Sequence, residues 1–95
     1  MIRIVTLCGM GFGSSLTLKM SIDKILSTNG IRAEVIAWDL GSFKGQSADI
    51  VVAPSDMKKH LESYSGKVIL INNLIDQKEI ESKVLPVVRQ MLDSN

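Results

Sequence analysis

Ninety-five residues, 45% of them apolar and 22% charged, are enough for one domain spanning 1–95 with a modest core and too few for two. Eleven basic against ten acidic residues leave a net charge of +1, without the basic excess expected of a nucleic-acid binder. Phe12, Trp38, Phe43 and Tyr64 form no spaced stacking series, one cysteine excludes an internal disulfide, and one histidine leaves no Cys/His cluster for a metal.

No apolar run approaches the ~20 residues that cross a bilayer. Arg3 ahead of Ile4-Val5-Thr6-Leu7 imitates the start of a signal segment, but glycines interrupt it and no small-residue cleavage site follows. Leu7 is bulky where a lipid-modified cysteine would need a small neighbour. The mature chain is therefore expected to begin at Met1, in a reducing cytoplasm.

Four short apolar runs alternate with helical patterns. The first strand is Ile2 to Leu7, and Ser14 or Ser15 is placed to cap a helix reaching about Thr28. Leu18, Ile22, Ile25 and Leu26 recur on one face of that helix, and Asn29-Gly30 ends it. Arg32 to Trp38 gives a second strand, and Gly41 and Gly45 mark an irregular connection. Asp49 to Ala53 is nearly all apolar, which fits a strand covered on both faces. Pro54-Ser55 opens a short helix to about Tyr64, Gly66 closes it, and Lys67 to Ile71 is the fourth strand. Asp76 with Glu79 has the spacing of a capping box for a last helix, which Pro86 is expected to kink or split.

Regular alternation of strand and helix predicts an α/β fold: one four-stranded parallel sheet, order 2-1-3-4, with helices on both faces. Ligands bind such sheets beyond the C-terminal strand ends, where strand order reverses. Cys8 stands there, at the end of strand one.

The segment Cys8-Gly9-Met10-Gly11-Phe12-Gly13-Ser14-Ser15 joins a thiol to a glycine-serine loop and a helix start. Backbone N–H groups in such a loop converge on an anion, and the helix dipole adds partial positive charge. The same field favours thiolate over thiol. A cysteine is also often only a small buried hydrophobe, but the loop that follows this one favours a reactive role. No Gly-Lys-Ser/Thr is present, so this is not a nucleotide P-loop, and the match to a dinucleotide fingerprint fails at its third glycine.

The spacing comes nearest to a cysteine-phosphatase loop, in which five residues separate cysteine from arginine. Here five residues separate Cys8 from Ser14, so serine stands where the arginine would clamp the phosphoryl oxygens. A loop without that fork still holds a phosphoryl group through its amides but hydrolyses it slowly, which suits a relay. Residues 1–22 contain no Asp or Glu, leaving the first helix start open to an outside anion. Met10, Phe12 and Leu16 offer either a docking surface or side chains folded back onto the domain.

The remaining candidates have plainer roles. His60, between Lys59 and Leu61, reads as a solvated surface residue, and Asp56 as a favourable charge at a helix start near the Cys8 rim. Trp38 is expected to pack at the end of strand two, and Lys58-Lys59 to be a solvated face.

With these residues in view, Cys8 to Ser15 and the following Leu16-Thr17-Leu18-Lys19-Met20 resemble the cysteine-containing enzyme IIB components of the bacterial sugar phosphotransferase system. Within that group the loop looks most like the ascorbate-type branch, and the likeness continues through Ala48-Asp49-Ile50-Val51-Val52-Ala53. The resemblance implies a fold similar to small cysteine phosphatases. It implies that Cys8 is the phosphorylated nucleophile and that Gly9, Met10, Gly11, Phe12, Gly13, Ser14 and Ser15 form the backbone cradle; nothing in the chain calls for a cofactor or metal. A IIA phosphohistidine protein would be the donor, and a sugar held by a IIC membrane transporter the acceptor, with the chain meeting the membrane's inner face transiently. A small cysteine phosphatase is the alternative, and a nucleotide- or redox-sensing module a third reading, weakened by the lack of a resolving cysteine.

Overall fold

β1 (Ile2–Cys8), α1 (Gly13–Thr28), β2 (Ala33–Asp39), β3 (Ile50–Pro54), a 3-10 helix (Ser55–Leu61), β4 (Lys67–Ile71) and α2 (Gln77–Asp93) follow one another along the chain. The computed structural model describes residues 2–8, 13–39, 48–61, 66–73 and 75–93, the side chains of 8, 13–15, 39 and 60 excepted. The Gly41–Gly45 connection and the expected end of the short helix near Tyr64 lie outside these residues.

All strand pairings are parallel, and the order is β2-β1-β3-β4, as the alternation predicts. β1 pairs with β2 from Ile2↔Ala33 to Cys8↔Asp39 and with β3 from Ile4↔Ile50 to Thr6↔Val52. β3 pairs with β4 from Ile50↔Lys67 to Pro54↔Ile71. The end of β1 and both ends of β2 and β3 lie one residue later than the sequence expectation, because hydrogen-bonded register, and not apolar content, ends a strand.

The two-residue period of the strands divides the core between two faces. Ile2, Ile4, Ile50, Val52, Ile69 and Ile71 meet Leu18, Ile22 and Ile25 of α1 and Ile80, Val84 and Val88 of α2. Val5, Leu7, Val51 and Ala53 point to the other face, under Met57 and Leu61 of the 3-10 helix. Trp38 packs against this second cluster, as expected. Both α-helices therefore share one face, and among the described residues the 3-10 helix alone covers the other. Thr6, fully buried, is the only polar residue within this core among those described, and its hydroxyl donates to the Ile36 carbonyl at 3.5 Å.

The helix termini are set by identifiable hydrogen bonds. Gly30 has φ +67° and directly follows the expected end of α1. Its N–H donates to the Ser27 carbonyl at 3.2 Å and the Ile31 N–H to the Leu26 carbonyl at 2.9 Å, the paired bonds of a Schellman cap. A Cβ on Gly30 would meet nothing within 4 Å, so Gly30→Ala tests backbone conformation without a clash. It is expected to cost about 1–2 kcal/mol, read from a denaturant midpoint. At the other end, α1 begins at Gly13, so Ser14 and Ser15 lie inside its first turn instead of before it.

Asp76 caps α2 as expected, its Oδ1 accepting from the Lys78 and Glu79 N–H groups at 3.0 and 3.2 Å. Glu79 does not close the reciprocal half of the box. Its carboxylate reaches past the cap to accept from the N–H groups of Asn72 at 2.7 Å and Asn73 at 2.9 Å, just beyond β4. Lys83 Nζ joins it at 2.6 Å and also donates to the Leu70 carbonyl at 2.9 Å. The expected box fails because the Asp76 N–H is already bonded to the Asn73 carbonyl, while two strand-end amides are nearby.

The Lys83 hydrogen bond, then the Asn72 amide, with a further contribution from Asn73, holds the Glu79 carboxyl at about 2, against an ordinary 4.5. A depressed carboxyl stabilises the fold fully above its unfolded value and loses that contribution as pH falls through the folded value. Stability should therefore decline between about pH 4.5 and pH 2. Glu79→Gln should flatten the decline when denaturant midpoints are compared across that range.

α2 runs unbroken through Pro86, contrary to the expected split. Pro86 is exposed, while Ile80, Val84 and Val88 on the opposite face are fully buried. The amide hydrogen bond lost to proline thus falls on the solvent side, where water can serve the freed carbonyl, and the buried stripe keeps both halves in line.

Candidate functional site

The four strands end level with one another, since Cys8 is in register with Asp39 and Pro54 with Ile71. Continued past Thr6↔Val52, the β1–β3 register brings Pro54 level with Cys8. Everything that leaves this edge of the sheet therefore surrounds the end of β1. The 3-10 helix departs from Pro54 with Asp56 in its first turn, and Asn72 and Asn73 follow β4. Strand order reverses between β1 and its two neighbours, and Cys8 is the last residue of that inner strand.

α1 starts at Gly13, five positions after the last residue of the strand, and has no acidic residue in its first turn. α2 starts at the same edge with Asp76 and Glu79 supplying carboxylates to its own amides and to those of Asn72 and Asn73. The contrast is electrostatic. One helix start carries its own anions, while the start beside Cys8 has none, so its positive end is left for charge from outside.

Of the predicted cradle, the structure places the backbone of Cys8 at the end of β1 and Gly13, Ser14 and Ser15 in the first turn of α1. Gly9, Met10, Gly11 and Phe12, and the side chains of Cys8, Ser14 and Ser15, lie outside the described residues. Asp56 is exposed at the same edge, and His60 falls within the 3-10 helix with its side chain outside the description. Lys58 and Lys59 are exposed, in keeping with a solvated face.

Leu16 at 50% and Met20 at 64% exposure on α1, and Ile75 at 80% just before α2, are large apolar side chains that stand in solvent. Leu16 was a candidate from its position, but Met20 and Ile75 were not. Met20 was findable, because it follows Leu16 by one helical turn and falls off the Leu18–Ile22 face. Ile75 had no such signal, since an apolar residue in a connection belongs to no periodic pattern. Among the described residues no group of His, Cys, Asp and Glu is arranged to hold a metal, and no helix is long and apolar enough to cross a membrane.

A parallel four-stranded sheet in the order β2-β1-β3-β4, whose first strand ends at Cys8 and is followed by a helix start free of acid, defines a small α/β protein. The chain belongs to the lactose/cellobiose-specific IIB subunit family of the phosphotransferase system, whose model matches residues 3–85. It is similar to the ascorbate-specific PTS system EIIB component of Mycoplasma pneumoniae, 33% identical over 90 residues covering 88% of this chain and 95% of that protein. The identically named component of Shigella dysenteriae serotype 1 is 28% identical over 92 residues, 94% of this chain and 91% of that protein. That of Salmonella typhimurium is 27% identical over the same lengths.

Proposed function

We propose that this chain is a phosphoryl carrier of the phosphotransferase system, with Cys8 as the atom that carries the group. The observation that supports it most is the placement of Cys8 at the end of an inner strand, five residues before a helix start without acid. In the first step the Cys8 thiolate attacks the phosphorus of a IIA phosphohistidine, an S–P bond forms, and the P–N bond breaks with its electron pair returning to the imidazole. In the second, a sugar hydroxyl held by a IIC transporter attacks that phosphorus and gives up its proton, and the S–P electron pair returns to sulfur. Gly9 to Ser15 are assigned the amide cradle that holds the equatorial oxygens, and docking excludes water from it.

The relatives named as ascorbate-specific point to ascorbate as the sugar, although the matching family model is named for lactose and cellobiose. The chain acts as one unit, 1–95, in the cytoplasm, and meets the membrane only through the transporter.

Intact-mass spectrometry after incubation with a phosphorylated IIA protein tests the proposal, with one added phosphoryl group expected. An unshifted mass with a donor that is competent toward other carriers would overturn it. Multiple turnover of an aryl phosphate would instead establish the phosphatase reading, which Ser14 in the arginine position opposes.

Leu16 and Met20, exposed on the first two turns of α1, are assigned to donor docking. Leu16→Glu with Met20→Glu should slow phosphoryl acceptance about tenfold or more, as loss of apolar interface anchors does. Thermal stability should stay within about 0.5 kcal/mol of the parent because both positions are on the surface.

A further inference from the structure

The opposite end of the molecule holds the only Asn-Gly pair of the chain, Asn29-Gly30. Asn-Gly is chemically labile, because a glycine amide nitrogen meets no side chain as it approaches the preceding side-chain carbonyl. We infer that Asn29 is a site of spontaneous deamidation that the Schellman cap of α1 holds closed, so that loss of the amide records opening of this helix end. The inference is independent of the function assigned to Cys8.

The reaction needs the Gly30 nitrogen, stripped of its proton by solvent base, to attack Asn29 Cγ. An N–C bond forms, the Cγ–Nδ2 bond breaks, and ammonia leaves with a succinimide remaining. Water then opens the ring at either carbonyl, giving aspartate or isoaspartate. One water is consumed and one ammonia released, with no change of oxidation state.

Three native contacts oppose the first step. The Gly30 N–H is directed at the Ser27 carbonyl, 3.2 Å away, so its nitrogen is neither free nor aimed at Cγ. Asn29 Nδ2, the leaving group, donates to the Ile25 carbonyl at 2.8 Å. The neighbouring bond from the Ile31 N–H to the Leu26 carbonyl fixes the chain beyond the glycine, and Ile31 packs against the core cluster that contains Leu26. Ring closure must break the first two together. Water is not limiting, since Asn29 lines an open hollow of about 240 Å³ with Ile31, Arg89 and Leu92.

The products differ in what they preserve. Aspartate keeps an acceptor for Arg89, whose guanidinium lies 3.3 Å from Asn29 Oδ1, but loses the donor to Ile25 and sets negative charge at a helix C-terminus. Isoaspartate adds a methylene to the main chain, so the bonds from Gly30 and Ile31 no longer span their carbonyls and the cap does not re-form.

Peptide mapping of the full chain, held for days at mildly alkaline pH with and without denaturing urea, tests the inference. Conversion at Asn29 should be at least about tenfold slower in the folded chain, the factor that each ~1.4 kcal/mol of cap-opening free energy imposes. Ile31→Ala, which removes the apolar contact but no cap amide, should speed conversion several-fold without urea and match the parent in urea. Equal rates for the folded and unfolded parent, or no conversion in urea, would overturn the inference. The parent comparison stands even if the variant folds poorly.

Discussion

Replacing Cys8 by serine should abolish acceptance of a phosphoryl group from a phosphorylated IIA protein, leaving the intact mass unshifted. A hydroxyl at the end of β1 has nearly the same size and the same strand register, so the sheet should survive with an unchanged denaturant midpoint. Chemistry is what changes. A few per cent of a free thiol is ionised near neutral pH, and a helix start without acid raises that fraction, whereas a serine hydroxyl stays protonated without a base beside it. The loss should be at least about 10³-fold in acceptance rate, within the range seen when a covalent nucleophile is removed. Iodoacetamide labelling of the parent at stepped pH supplies a second readout, with the alkylation midpoint expected below the ~8.5 of a free cysteine. A serine variant that accepts phosphate at the parent rate would move the carrier atom elsewhere.

Leu18→Ala should have the largest effect on stability. Leu18 is fully buried on α1 and packs with Ile4, Ile22 and Ile50 in the core beneath both α-helices. Truncating it removes transfer free energy and leaves a cavity that rigid strands on one side and α2 on the other cannot close, for about 2–5 kcal/mol. A chain of this size typically holds about 5–15 kcal/mol in all, so the melting temperature should fall by roughly 10–30 °C. Leu18 also anchors the first turns of α1, which carry Gly13, Ser14 and Ser15. Phosphoryl acceptance should therefore decline at temperatures where the variant is still mostly folded. An unchanged melting temperature would contradict the packing described.

The architecture was largely legible from the residues, and the reasons are local. Strand and helix periods hardly compete in Ile2–Cys8, Ile50–Pro54 and Lys67–Ile71, each short, apolar and followed by glycine, serine or asparagine within a few residues. Gly30 announced the end of α1 because the left-handed turn there favours a residue without Cβ. What escaped depended on groups distant in sequence. Glu79 carries the same spacing from Asp76 whether it closes a box or reaches Asn72 and Asn73, and only the position of β4 decides. Pro86 is a helix breaker by local rule, but its exposed position opposite Val84 and Val88 lets packing override that rule. Of the candidate site, the strand that ends at Cys8 and the helix that starts at Gly13 were legible, because both follow local periods, while Gly9 to Phe12 between them lie outside the described residues. The exposed apolar residues were only partly legible, because Leu16 and Met20 have a helical period and Ile75 has none.

The inner position of β1 has a consequence for biogenesis. Its hydrogen-bonding neighbours, 33–39 and 50–54, are both made after it, so a nascent chain carries Cys8 without both flanking strands until more than half of its 95 residues exist. Long-range parallel pairing of this kind slows assembly. The sulfur is thus translated early and framed late, and newly made chains should be more open to thiol-directed oxidants than finished ones.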